Sequence, residues 1–154
     1  TGKERHNRVL VAMVAAGGAT YAIAMIDVDH FKSVNDRYGH EIGDRVLVEM
    51  AQALAARLKG DELCARWGGE EFVLILPGMT LREASALAEG VQQHLRSVPL
   101  VVADQELWLT ISIGVSQYMA GENFSAAIDR ADRALYRAKQ LGRDRVHADD
   151  GSGG

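Results

Sequence analysis

Two pairs of acidic residues stand where carboxylates could work together. Asp27-Val28-Asp29 closes an apolar run, and Glu70-Glu71 follows directly on Gly68-Gly69. Carboxylates at neighbouring strand ends can converge on a hard cation, and Mg²⁺ typically takes one or two carboxylates together with phosphate oxygens. Asp29 falls on the same strand face as Asp27, and is expected behind the metal rather than on it. Just beyond, Phe31 and Lys32 open a short helix whose free backbone N–H groups suit phosphate oxygens. Gly68 and Gly69 can take positive φ and leave space where a ligand must lie close. Near the end of the chain, Lys139 and Arg143 are two cations at a helix C-terminus, which the macrodipole alone would favour.

These residues sit in a regular pattern of elements. Tyr21 to Asp27 reads as a buried strand, and Phe31 to Tyr38 as a short helix ended by Gly39. A second helix is expected from about Ile42 to Leu58, with Asp44 after Gly43 as a possible cap. Leu63 to Trp67 and Phe72 to Leu76 flank Gly68-Gly69 as a hairpin. Leu81 to Leu95 is amphipathic. Leu107 to Ser116 reads as one strand, hairpin-paired with Leu100 to Ala103. Ser125 to Leu141 is a helix with Ser125 as cap and Gly142 as stop, and Arg145 to His147 is a short edge strand. Trp67 and Trp108 are expected to bury in the sheet, and Trp67 could reach a nucleotide. His30 and His40 are assigned to capping or packing, since no Cys/His cluster accompanies them. Hairpins mixed with helices give an α+β sheet with helices packed on it.

Composition narrows the classes. The 154 residues, 47% hydrophobic and 25% charged, fit one soluble domain. A net charge of −4 argues against broad binding to a nucleic-acid polymer, though a few local cations suffice for a small phosphorylated ligand. Cys64 is the only cysteine, so no internal disulfide can form; it is read as a small buried strand residue. The uncharged run from Val9 to Ile26 is broken by Gly17-Gly18, and a helix, turn and buried strand explain it better than a membrane span. Neither a signal peptide nor an internal repeat is found. The expected organisation is one domain over residues 1–148 and a flexible tail over 149–154.

Four segments resemble the diguanylate cyclase (GGDEF) family: DVDHFKSVNDRYGHEIGD from Asp27, RWGGEEF from Arg66, LTISIGVS from Leu109 and RADRALYRAKQLGRDRV from Arg130. They occur in the family's order and spacing across nearly the whole chain. The resemblance implies a palm-like (ferredoxin-like), mainly antiparallel sheet flanked by helices, as in class III nucleotidyl cyclases. It implies Asp27, the Val28 carbonyl and Glu70 as ligands of Mg²⁺, with Mn²⁺ as a substitute. Glu71 becomes a catalytic acid, either a metal ligand or a helper in deprotonating the attacking hydroxyl. Asn35 and Asp44 become the guanine readers, which suits their chemistry: a carboxylate accepts from guanine's N1–H and amino group, and an amide donates and accepts. Phe31, Lys32, Gly68, Gly69, Lys139 and Arg143 complete the GTP site, the last two on the triphosphate.

The implied activity joins two GTP into cyclic di-GMP between two copies of the domain, so that an isolated monomer would be inactive. Three alternatives differ in class. One is a silent module that binds GTP or cyclic di-GMP, against which the retained Asp27, Glu70 and Glu71 argue. Another is an enzyme making a mixed adenine–guanine product, against which Asp44 argues. The third is a polymerase palm, disfavoured by acidic charge and missing template-binding subdomains. The family's opening motif is matched only by Thr1-Gly2 and by Asn7-Arg8 two residues late. The expectation is therefore an output domain from a longer, cytoplasmic or membrane-anchored protein with an upstream sensor or dimerisation module. Lys59 and Glu62 stand where many relatives carry the Arg-x-x-Asp product-inhibition motif. Lysine lacks arginine's planar fork, and weak feedback is expected there.

Overall fold

The computed structural model describes residues 20–151. In chain order these form β1 (Tyr21–Val28), α1 (Phe31–Tyr38), α2 (His40–Ala55), β2 (Leu63–Gly68) and β3 (Glu71–Pro77). Then come α3 (Leu81–Ser97), β4 (Leu100–Val102), β5 (Gln105–Leu107), β6 (Ile111–Tyr118), α4 (Phe124–Gln140) and β7 (Arg145–Ala148). Five strands make one sheet in the order β2-β3-β1-β6-β7, antiparallel throughout except for the parallel β6–β7 pair, and β4–β5 is a separate ribbon. The expected α+β class and mainly antiparallel sheet are both present. The readings upstream of Thr20, including the Gly17-Gly18 turn and Asn7-Arg8, lie outside the described residues. Among those described, no helix is long and apolar enough to cross a membrane.

Strand β1 is buried along its whole length because both its faces are covered. Ala22, Ala24, Ile26 and Val28 join a core with Val46, Leu47, Met50 and Leu54 of α2 and Ala84, Ala88 and Val91 of α3. Tyr21, Ile23 and Met25 face the other way, onto Ala127, Ile128, Ala131 and Leu135 of α4. Asp27 follows in this second set, so its side chain points to the α4 side of the sheet.

Several local expectations are corrected. The strand foreseen over Leu107 to Ser116 is two: Trp108 to Thr110 leaves the ladder, and only Gln105–Leu107 pairs with Leu100–Val102. Ala103 and Asp104, at φ 50° and 63°, make the left-handed two-residue turn that strand twist favours. Trp108 then lies outside the sheet and is 64% exposed, whereas Trp67 is partly buried with its ring edge-on to Phe124 at 6.1 Å. Asn123, not Ser125, caps α4, accepting from Ala126 N–H at 3.0 Å. Asp44 is no cap, because α2 starts at His40 and encloses it. His30 occupies the position before α1 at φ 57° but makes no side-chain cap. Cys64 is half-buried in β2, and desolvation pushes its thiol up to about 11, against any thiolate role. Past β7, Asp149 N–H still bonds the Val115 carbonyl at 2.8 Å.

Candidate active site

The end of β1 and the β2–β3 turn meet at one end of the sheet. Val28 N–H donates to the Glu70 carbonyl at 3.3 Å, and Asp27 stands opposite Glu71 in the β1–β3 register. Directly opposed residues of an antiparallel pair share a face, so Asp27 and Glu71 both face the α4 side. The turn itself is Gly69-Glu70, one residue later than the sequence implies: Gly68 belongs to β2, next to a bulge at Trp67, and only Gly69 has positive φ, at 40°. Arg66 clamps the turn, donating from Nε and Nη2 to the Gly69 carbonyl at 3.0 and 2.6 Å. That role was not foreseen, although Arg66 lies within the second signature segment.

A cleft of about 350 Å³ brings together Asp27, Val28, Phe31, Lys32, Glu70, Lys139 and Arg143, with Asp29, His30 and Ser33 completing its wall. Seven of the expected site residues therefore share one hollow, gathered from β1, α1, the β2–β3 turn and the end of α4. Larger hollows of about 680 and 530 Å³ lie elsewhere, the first against α4 and Asp149 and the second beside Trp108. Chemistry, rather than size, singles out the smaller one.

Asp27 is buried, only 6% exposed. Burial raises its carboxyl above the usual range, opposed by the hydrogen bond and charge of Lys139, while Glu70 and Asp29 push it further up. The Lys139 ammonium rests on Asp27 Oδ2. Burial also raises Glu71, reinforced first by the negative charge of Asp27. Among the described residues no three Asp, Glu, His or Cys side chains form a ready cation cage. The arrangement fits a divalent ion whose other ligands come with substrate: Asp27 and Glu70 supply two carboxylates to one cleft, and Asp27 already holds a cation in Lys139.

The site residues differ in exposure, and Glu71, Gly68 and Gly69 are not among those lining the cleft. Lys32 is almost fully exposed, 3.8 Å from Asp36. Asn35 and Asp44 do not line the cleft; they lie on α1 and α2. The Asn35 side chain packs against Gly43, the residue before Asp44, where a Cβ would overlap its amide oxygen. Lys59 and Glu62 lie before β2, where the Glu62 carboxylate is turned back onto the Lys59 backbone N–H at 2.8 Å. Asp29, 4% exposed, accepts from Ser112 Oγ at 2.6 Å, Thr110 Oγ1 at 2.7 Å and Asp144 N–H at 3.0 Å.

A five-stranded palm-like α+β domain with acids and cations facing one another at a sheet end is the class these features define. The chain belongs to the GGDEF family, whose description is diguanylate cyclase, GGDEF domain, and which matches residues 6–145. It is 42% identical over 140 residues to the response regulator PleD of Caulobacter vibrioides, covering 89% of this chain and 31% of that protein. To diguanylate cyclase DgcM of Escherichia coli it is 42% identical over 128 residues, 83% of this chain and 30% of that one. The chain thus spans about a third of these curated relatives. Among solved structures, the GGDEF domain of DgcB from Caulobacter crescentus in complex with c-di-GMP superposes with a TM-score of 0.81 at 34% identity, covering 90% of this chain and 84% of that one. Diguanylate cyclase SiaD, solved with its activator SiaC from Pseudomonas aeruginosa, gives 0.83 at 42% identity, with coverages of 92% and 55%.

Proposed function

We propose that this domain is a diguanylate cyclase, condensing two GTP into cyclic di-GMP and two pyrophosphates across a pair of domains. The observation that carries the reading is the single cleft holding Asp27, Glu70, Lys139 and Arg143 in a chain of this family. Mg²⁺ or Mn²⁺ held by Asp27, the Val28 carbonyl and Glu70 would supply Lewis acidity to the 3′-hydroxyl and the phosphates. Lys139 and Arg143 bind the triphosphate as point charge and planar fork, and the start of α1 offers the Phe31 and Lys32 N–H groups to its oxygens. Glu71, with its carboxyl raised by burial and by Asp27, is suited to take the 3′-hydroxyl proton. The freed oxygen bonds the α-phosphorus of the other GTP, and the α–β bridging bond breaks, its electron pair leaving with pyrophosphate. Two such transfers close a two-fold ring, and a two-fold pair of domains matches that symmetry.

Concentrated protein incubated with GTP and Mg²⁺ should yield cyclic di-GMP by mass spectrometry, at a rate that rises faster than linearly with domain concentration. Nucleotide binding without product would make the domain a silent binding module instead. The inward turn of Glu62 supports weak product feedback at Lys59 and Glu62, because its carboxylate is already engaged.

Guanine selectivity gives a second test. Gly43→Ala places a methyl where the Asn35 amide lies, yet alanine is the better helix former by about 1 kcal/mol. The Phe31 ring, 3.3 Å from that methyl, offsets the helix gain, and the preference for GTP over ATP should fall about tenfold, as for loss of a buried hydrogen-bonding partner. Asp44→Ser should give a comparable loss in the same competition assay. Unchanged selectivity in both variants would place the guanine reader elsewhere.

A further inference from the structure

Between α4 and β7 the chain passes through three left-handed residues, Gly142, Arg143 and Asp144, at φ 121°, 63° and 51°. Glycine adopts this region freely, but arginine and aspartate are strained in it and stay there only when their surroundings over-determine them. The first part of the turn is fixed by the helix end: Gly142 N–H bonds the Lys139 carbonyl at 3.2 Å and Arg143 N–H the Ala138 carbonyl at 3.0 Å, a Schellman closure. The second part is fixed from elsewhere. Asp144 N–H donates to Asp29 Oδ2 at 3.0 Å. Gln92 Nε2 donates to both the carbonyl and Oδ1 of Asp144, at 3.2 and 2.7 Å, and Arg96 Nε lies 3.1 Å from Asp144 Oδ2.

Gln92 and Arg96 are on α3, which packs on the sheet face opposite α4. The contact therefore reaches from one helix layer to the turn that ends the other. Gln92 is 6% exposed, and an apolar residue there would bury with less desolvation; its amide is accounted for by Asp144. Arg143, the strained residue between the two anchors, is the one of the three that lines the cleft.

We infer that Asp29, Asp144 and Gln92 form a latch that positions Arg143 over the phosphate subsite, making Gln92 and Asp144 positioning residues for triphosphate recognition although neither lines the cleft. The inference rests on the phosphate reading of Arg143 given above. Without the latch the turn relaxes toward ordinary negative φ and the guanidinium leaves the phosphates, while base recognition on α1 and α2 is untouched.

The test is calorimetric binding to the full chain of two probes: the α,β-methylene analogue of GTP, which cannot release pyrophosphate, and GMP. Gln92→Met keeps the side chain's bulk and removes its donors. It should weaken the triphosphate analogue about tenfold, as for loss of a hydrogen bond to a charged group, and leave GMP unchanged. In an Arg143→Ala background the same substitution should add nothing. Asp144→Asn, which keeps the backbone bond to Asp29, should show the same selectivity at smaller size if Gln92→Met fails to fold. Equal loss for both probes, or additive loss in the double variant, would overturn the latch. No effect of Arg143→Ala on the triphosphate analogue would overturn the phosphate reading of Arg143 itself.

Discussion

Glu70→Gln should lower cyclic di-GMP formation by about 10²–10³-fold, the scale of losing one preorganised group that stabilises transition-state charge, and should leave the melting temperature nearly unchanged. Glu70 sits in the turn between β2 and β3, partly exposed and outside both apolar cores. Its amide replacement is isosteric and removes only the charge. Asp27→Asn should cost as much activity but behave differently in stability. Asp27 is buried and holds the Lys139 ammonium, so the substitution strands half of an ion pair. Lys139 is about a third exposed and can reach water, which reduces the usual cost of breaking a buried pair to about 1–3 kcal/mol. Product quantification beside thermal melts separates the two variants. Substantial turnover by Glu70→Gln would remove Glu70 from the metal set.

The contrast between these acids shows where the sequence stops being informative. Apolar runs, hairpin turns and helix stops are local, and Tyr21 to Val28 and Phe31 to Tyr38 were legible to within a residue from them. The signature segments marked every residue that lines the cleft on the acidic side. What local pattern could not show is which distant groups meet. Lys139 finds Asp27 across 112 residues, Asp144 finds Asp29 across 115, and Gln92 finds Asp144 across 52. Those pairings decide that Asp27 is buried and that Asp29 supports a turn, and no periodicity carries them. The break at Trp108 to Thr110 was hidden for another reason. Leu107, Leu109 and Ile111 alternate as a strand would, yet Leu107 pairs with Leu100 in the ribbon while Ile111 pairs with Val28 in the main sheet, and the chain crosses from one to the other between them. Asp144 stands inside the fourth signature segment, but nothing local distinguishes it from an ordinary solvated acid after a helix.

Gly114→Ala is expected to be the most damaging glycine-to-alanine change among the described residues. Gly114 lies mid-strand in β6, on the face covered by α4, where glycine is otherwise unfavourable for want of a packing side chain. A Cβ there would run into the Ala131 carbonyl and the Leu135 backbone of α4, with Leu135 Cα at 2.7 Å. These are main-chain atoms inside a helix and cannot rotate away. The helix turns a small-residue face to the strand at Ala127, Ala131, Ala134 and Ala138, all buried, and Ser116 Oγ bonds the Ala127 carbonyl at 2.7 Å. The helix therefore rests directly on the sheet, and its far end delivers Lys139 to Asp27 and Arg143 to the cleft. Overpacking of a core typically costs about 1–3 kcal/mol, and a rigid neighbour places this site at the upper end, which for a domain of this size lowers the melting temperature by about 10 °C. Activity should fall further than stability, because a helix lifted by a methyl's thickness carries both cations away from the acids. Gly90→Ala is the control. Gly90 lies mid-helix in α3, and its Cβ would meet only Arg57 Nη2 at 3.9 Å, so stability should hold or rise by up to about 1 kcal/mol. A Gly114→Ala protein that melts and turns over like the parent would show that α4 does not set the cleft by contact at Gly114.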